Sequence, residues 1–242
     1  MHRVKPAHRK AMPLQNRVDP FGDIHAVDAR GLFTGNRGVI HDPATKTLLP
    51  RRWATKAWLI CECEFLGRRR EVMGRNARSG NAGWTELFFL DEVTALAAGH
   101  RPCFHCRRER AKEFAGYFGE AFGIAGPKAG EIDERLHRER RASALAVADR
   151  PRPVEVDREA IDALPDCAML CRGDRTFAKH GRNLRAWTFR GWTDEWDYRD
   201  LALYAVRLLT PPTTVEILRR GYEPVWHPTI GTLPRARSLP AG

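Results

Sequence analysis

No stretch of the chain comes near the roughly 18 consecutive apolar residues that a transmembrane helix requires, so no membrane span is expected. The basic opening, MHRVKPAHRK, is followed by no apolar segment of the kind a secretory signal needs. A cytoplasmic location is the expectation. Cysteine is scarce, with six in 242 residues. Six cysteines without a signal argue against a disulfide framework and for metal ligation or free thiols in a reducing compartment. Whole chemistries are missing too. The text contains no G-x-S-x-G, no P-loop, no G-x-G-x-x-G and no H-E-x-x-H. It therefore lacks the signatures of a hydrolase nucleophile elbow, a phosphate cradle, a dinucleotide fold and a zinc peptidase. There is no internal repeat and no long low-complexity segment.

What is present is positive charge. Lysine and arginine number 41 against 30 acidic residues, a formal net charge of +11. Arginine dominates, and its planar guanidinium suits phosphate and base-edge contacts better than an ammonium does. Basic patches supply most non-specific affinity for nucleic acid, which is the partner this balance suggests. A basic soluble protein with no polyanion partner is the alternative. The hydrophobic fraction of 43% can fill a core, and the length allows one large domain or two small ones.

The most legible stretch is ELFFLDEVTALAAGHRPCFHC, Glu86 to Cys106. Leu87–Leu90 is an apolar run of strand length. Asp91 is a good N-cap, and Glu92 puts negative charge where the helix dipole favours it. Val93, Leu96 and Ala97 recur at helical spacing. Gly99 can take the left-handed C-cap conformation, and Pro102 prevents a restart. Upstream, residues 1 to about 20 read as a loose basic arm. Glycines between Phe21 and His41 break that stretch into short strand-like pieces, DIHAV and GVIH. KAWLICECEF, Lys56 to Phe65, reads as a strand with Leu59, Cys61, Cys63 and Phe65 on one face. An arginine-bearing loop follows, either a solvated linker or a phosphate-contacting finger.

Arg107 to Phe122 reads as an amphipathic helix whose basic first turns oppose the dipole unless a thiolate-rich site or a phosphate offsets them. Glu131 to Ala142 is a highly charged helix with Ile132, Leu136 and His137 inward. From about Pro151 short strands are expected near Val154–Val156, Ala168–Cys171, Ala186–Phe189 and Ala205–Leu209, and then a helix from Thr213 to Arg220. The fold class is α+β, mixed short strands and helices around a zinc knuckle with a strand-rich C-terminal half. Residues 1–125 form the zinc-binding region and 126–242 a linker, charged helix and strand-rich region, packed with the first as one unit or apart from it.

Cys103 and Cys106, as C-x2-C after a helix stop, let two thiolates reach one tetrahedral ion while the backbone turns between them. Zinc is the expected cofactor. Cys61 and Cys63 are the first choice to complete the site. His41, His100 or His105 is the rival for one of those places, and small buried core residues are the plain alternative for both cysteines. Cys167 and Cys171 fit core packing. Arg68, Arg69, Arg70, Arg75, Arg78, Arg101, Arg107, Arg108 and Arg110 flank the knuckle in sequence and are the expected phosphate contacts. A deaminase pattern is half present, since Pro102-Cys103 and Cys106 lack an upstream H-x-E. No catalytic residue can be assigned.

The segment Ala97-Ala98-Gly99-His100-Arg101-Pro102-Cys103-Phe104-His105-Cys106, with the aromatic strand before it, resembles the second half of the metal-binding domain of Ada-type DNA repair proteins. A similar half-motif occurs in knuckles appended to some nucleases. The Ada-type family holds zinc with four cysteines, binds DNA, and accepts methyl groups from phosphotriesters on one zinc thiolate. The resemblance implies zinc on Cys103 and Cys106 and DNA, ahead of RNA, as partner. It covers Leu87 to Cys106 alone. The family's upstream pair is C-x3-C, whereas this chain has Cys61-x-Cys63, so no methyl acceptor carries over. Three readings follow: a zinc module that binds DNA in repair or modification, a nucleic-acid-processing enzyme with a reactive zinc thiolate or open metal position, and a metal-stabilised protein with no nucleic-acid role.

Overall fold

The computed structural model describes residues 12–67, 69–142, 154–197 and 206–232. The fold is α+β, two six-stranded sheets with helices packed on and between them. The first sheet contains β1 (Gln15–Val18), β2 (Ile24–Ala26), β3 (Phe33–Asn36), β6 (Leu59–Glu62), β7 (Leu87–Phe89) and β8 (Arg101–Pro102). A separate small hairpin pairs β4 (His41–Asp42) with β5 (Thr47–Leu48). The sheet order is β2-β1-β7-β3-β6-β8. Gly35 sits in β3 because a side chain there would collide with the Leu59 carbonyl, 2.0 Å from an added Cβ. The expected arm is thus partly structured. Residues 1–11 lie outside the described residues, but Asn16 and Val18 are buried in β1.

Helix α1 (Glu92–Ala97) joins β7 to β8 and is buried along its whole length. Its sequence signals hold: Asp91 accepts from the Thr94 amide, and Gly99 ends the turn at φ +81°. Helices α2 (Arg108–Phe122), α3 (Ala129–Ala142) and α5 (Pro212–Arg219) cover the sheet. Phe114 and Phe118, Ile132 and Leu136, and Ile217 and Leu218 meet Val18, Phe33, Ile60, Leu87 and Phe89 in one core. Each fully buried side chain of this size contributes about 1.5–3 kcal/mol. Two helices from beyond residue 125 therefore help to close the core of the first region.

The second sheet, in the order β13-β12-β11-β10-β14-β9, is antiparallel throughout. It comprises β9 (Val154–Glu155), β10 (Met169–Arg172), β11 (Arg175–His180), β12 (Asn183–Thr188), β13 (Gly191–Asp197) and β14 (Val206–Leu208), with α4 (Arg158–Ala163) before β10. One face buries Leu170, Phe177, Leu184 and Ala186 with Ile161 of α4. The other buries Met169, Ala178 and Trp192 against Leu90, Val93 and Ala97, so α1 lies between the sheets. Cys171 is buried and Cys167 half-buried; all six cysteines are free. Among the described residues no helix is long and apolar enough to cross a membrane.

Candidate metal centre

Strand β6 runs parallel to β8, with Leu59 opposite Arg101 and Ile60 opposite Pro102. The ladder continues one step, since the Cys103 amide donates to the Ile60 carbonyl at 3.0 Å. Cys61 and Cys103 therefore leave adjacent strands side by side. The chain then turns, the Arg107 amide closing onto the Cys103 carbonyl at 3.0 Å, and this brings Cys106 back to them. The sulfurs of Cys61, Cys103 and Cys106 all lie within 4.8 Å of one another. A tetrahedral zinc with bonds of about 2.3 Å needs sulfurs roughly 3.8 Å apart, so the group fits a metal ion after small adjustments. Cys61 and Cys103 are each 7% exposed, and Cys106 is half-buried.

The electrostatics favour a thiolate at the centre. Hydrogen bonds from the Cys106 and Cys61 thiols hold the Cys103 sulfur far below the ordinary thiol range, and the amides of Cys106 and His105 add to them. Cys61 is pushed far up by the same contacts, Cys103 first and Cys106 next. Cys106 is also raised, chiefly by Cys103. Three sulfurs this close are a metal-ready set, because ligation takes thiolates and releases the protons.

Cys63 is not brought into this group. Strand β6 ends at Glu62, and Cys63 lies beyond it, exposed, with its thiol 3.4 Å from the Leu32 carbonyl. Its partner strand β8 is only two residues long, so nothing prolongs the period of two that would have turned Cys63 toward Cys61. Both sides of this stretch are covered: Trp58 and Ile60 are buried on one side and Cys61 on the other. The histidines are also apart from the cluster. His41 meets Thr85 at 2.7 Å. His100 is buried between Trp58 and Phe89 and accepts from Arg37 at 3.2 Å; burial holds its imidazole neutral, well below the ordinary value. His105 is exposed with its ring against Phe65.

Two of the expected phosphate-contacting arginines are structural. Arg101 is 5% exposed and makes a two-pronged pair with Asp133 of α3, at 2.8 and 2.7 Å. Arg107 is 5% exposed as well. It grips Glu92 at 2.7 and 3.0 Å, lies 2.9 Å from Glu62, and rests on the Phe33 ring. It thereby ties α1, β6 and the start of α2 together around the cysteines. Arg110 pairs with Glu113 and lies 3.8 Å from Glu92. The charges of Arg107 and Arg110 at the start of α2 are thus offset by carboxylates. Arg70 pairs with Glu86 at 2.7 Å and stacks on Trp84. Arg69, Arg75, Arg78 and Arg108 are exposed, and Arg68 lies outside the described residues.

The loop that carries Arg69, Arg75 and Arg78 is pinned at its base. Glu86, nearly buried, accepts from Arg70, the Met73 amide and Asn76. The sequence reading missed Glu62 and Glu92 as organisers of the centre and Glu86 as organiser of the loop. Nothing in their spacing marks them; each acts through a partner distant in sequence. No protein-family model, curated protein or solved structure matches the chain.

Proposed function

We propose that the chain is a zinc-binding protein that uses the metal centre to hold a DNA-contacting surface in place. The observation that carries the reading is the convergence of Cys61, Cys103 and Cys106 from a strand and a C-x2-C turn. Thiolate-rich sets with tetrahedral spacing suit zinc. The exposed arginines of the 69–78 loop and Arg108 at the start of α2 follow Cys61 and Cys106 closely in the chain. A phosphate backbone is the ligand such a surface accepts, with little base preference. A role in DNA repair or modification is what the resemblance of Leu87–Cys106 to Ada-type domains adds.

A second reading, an enzyme acting on nucleic acid, is favoured by one observation. Among the described residues three ligand atoms converge, and catalytic zinc characteristically has three protein ligands and an open position. The test is to measure zinc per chain and then titrate labelled duplex DNA at several salt concentrations, with and without a chelator. Stoichiometric zinc with salt-dependent binding is expected. Zinc without binding even at low salt leaves a metal-stabilised protein and overturns the nucleic-acid reading. Zinc-dependent conversion of the DNA selects the enzyme.

A further inference from the structure

A cavity of about 450 Å³ lies where the β1–β2 turn meets the ends of β11, β12 and β13. It shares no residue with the cysteine cluster. Ligand pockets are commonly a few hundred Å³ and favour such junctions between packed units. Two features of its lining point to one class of ligand.

The first is aromatic. Trp187 and Phe189 form a corner, with ring centroids 4.8 Å apart at 63°, and Phe21 lines the cavity from the β1–β2 turn. The indole N–H of Trp187 is committed to Thr94 at 3.0 Å, so its ring offers contact surface rather than a donor. The second is charge. Asp19, Asp174 and Asp194 all line the cavity. Asp19 meets His25 at 2.8 Å. Asp194 accepts from the Thr193 hydroxyl at 3.1 Å. Neither Asp174 nor Asp194 has an ion-pair partner among the described residues. The one basic residue of the lining, Arg175, has its guanidinium carbon 5.4 and 5.3 Å from the rings of Phe177 and Trp196. In a chain of net charge +11, this lining carries three carboxylates against one guanidinium.

An anion would be repelled here. A neutral apolar molecule would strip water from carboxylates and give nothing in return. A cation with an apolar body satisfies both features, because ring faces and carboxylates attract it together. We propose that this cavity binds a small organic cation, an alkylated ammonium or guanidinium group, free or carried on the basic side chain of a peptide. The proposal does not depend on the metal or the DNA reading.

The test is isothermal titration calorimetry on the full chain. The probes are tetramethylammonium and methylguanidinium, with tert-butanol and methylurea as their neutral counterparts. At least one cation should saturate the protein and bind about tenfold or more tighter than its neutral counterpart. The double variant Asp174→Asn, Asp194→Asn should lose that preference with an unchanged melting temperature, and Phe189→Leu should weaken cation binding. Peptides with one arginine or one trimethyllysine separate the sources. Tighter binding than the bare head group identifies a side chain, and equal binding identifies a free cation. Equal affinity for cation and neutral counterpart, undiminished binding in the double variant, or no saturable binding by either cation would overturn the proposal.

Discussion

At the level of single residues, the centre turns on the difference between Cys61 and Cys63. Both fall on one face of an ideal strand, and the period of two gives no reason to separate them. The parallel ladder separates them. Cys61 is the next step after the Ile60–Pro102 pair, beside Cys103, while Cys63 lies past the strand end with its thiol at the Leu32 carbonyl. Cys61→Ser, Cys103→Ser and Cys106→Ser should each lose bound zinc in elemental analysis, and Cys63→Ser should retain one equivalent. Zinc accounts for on the order of 10 kcal/mol in isolated finger peptides, so the three damaging variants should also melt at clearly lower temperature. Stoichiometric zinc in Cys61→Ser, or its loss in Cys63→Ser, would refute the assignment. Cys103 and Cys106 were legible because a knuckle is local, fixed by a helix stop, a proline and a spacing. The choice between Cys61 and Cys63 was not, because it depends on a register between strands some forty residues apart.

Among the elements, α1, α2, α3 and α5 follow their sequence signals to within a residue or two. Caps, glycine stops and apolar spacing act within one turn and need no knowledge of the rest of the chain. Strands β11 and β13 were not legible. Arg175–His180 and Gly191–Asp197 are rich in polar and charged residues, and they are strands because their neighbours in the second sheet pair with them. The same non-locality hid the role of Arg101. It reads as a phosphate contact beside the knuckle, yet it anchors α3 to β8 through Asp133. Breaking a buried pair leaves an uncompensated charge, so Asp133→Ala should cost about 3–5 kcal/mol in urea denaturation. The joint variant Arg101→Met, Asp133→Leu should cost less than the single change. If Asp133→Ala unfolds at the wild-type midpoint, the pair does not hold the helix.

On the scale of the whole molecule, the net charge of +11 says less about a binding surface than the placement of each charge does. Arg101 and Arg107 are withdrawn into buried ion pairs beside the cysteine cluster, and Arg70 and Arg110 are half-buried against carboxylates. Arg69, Arg75, Arg78 and Arg108 remain exposed, the first three on a loop that Glu86 pins by three hydrogen bonds. A pinned loop presents its charges without a large ordering cost, which is what a phosphate-contacting finger requires. The logarithmic salt slope of duplex binding steepens by about 0.9 for each phosphate neutralised. Changing Arg69, Arg75 and Arg78 together to alanine should therefore weaken binding and flatten that slope by up to about 2.7. Asp133→Ala should leave the slope unchanged in whatever fraction stays folded, since Arg101 contacts no phosphate in this reading. A triple variant with the wild-type slope would move the contact elsewhere, and Arg138 and Arg141, exposed three residues apart on α3, are the next basic pair to remove.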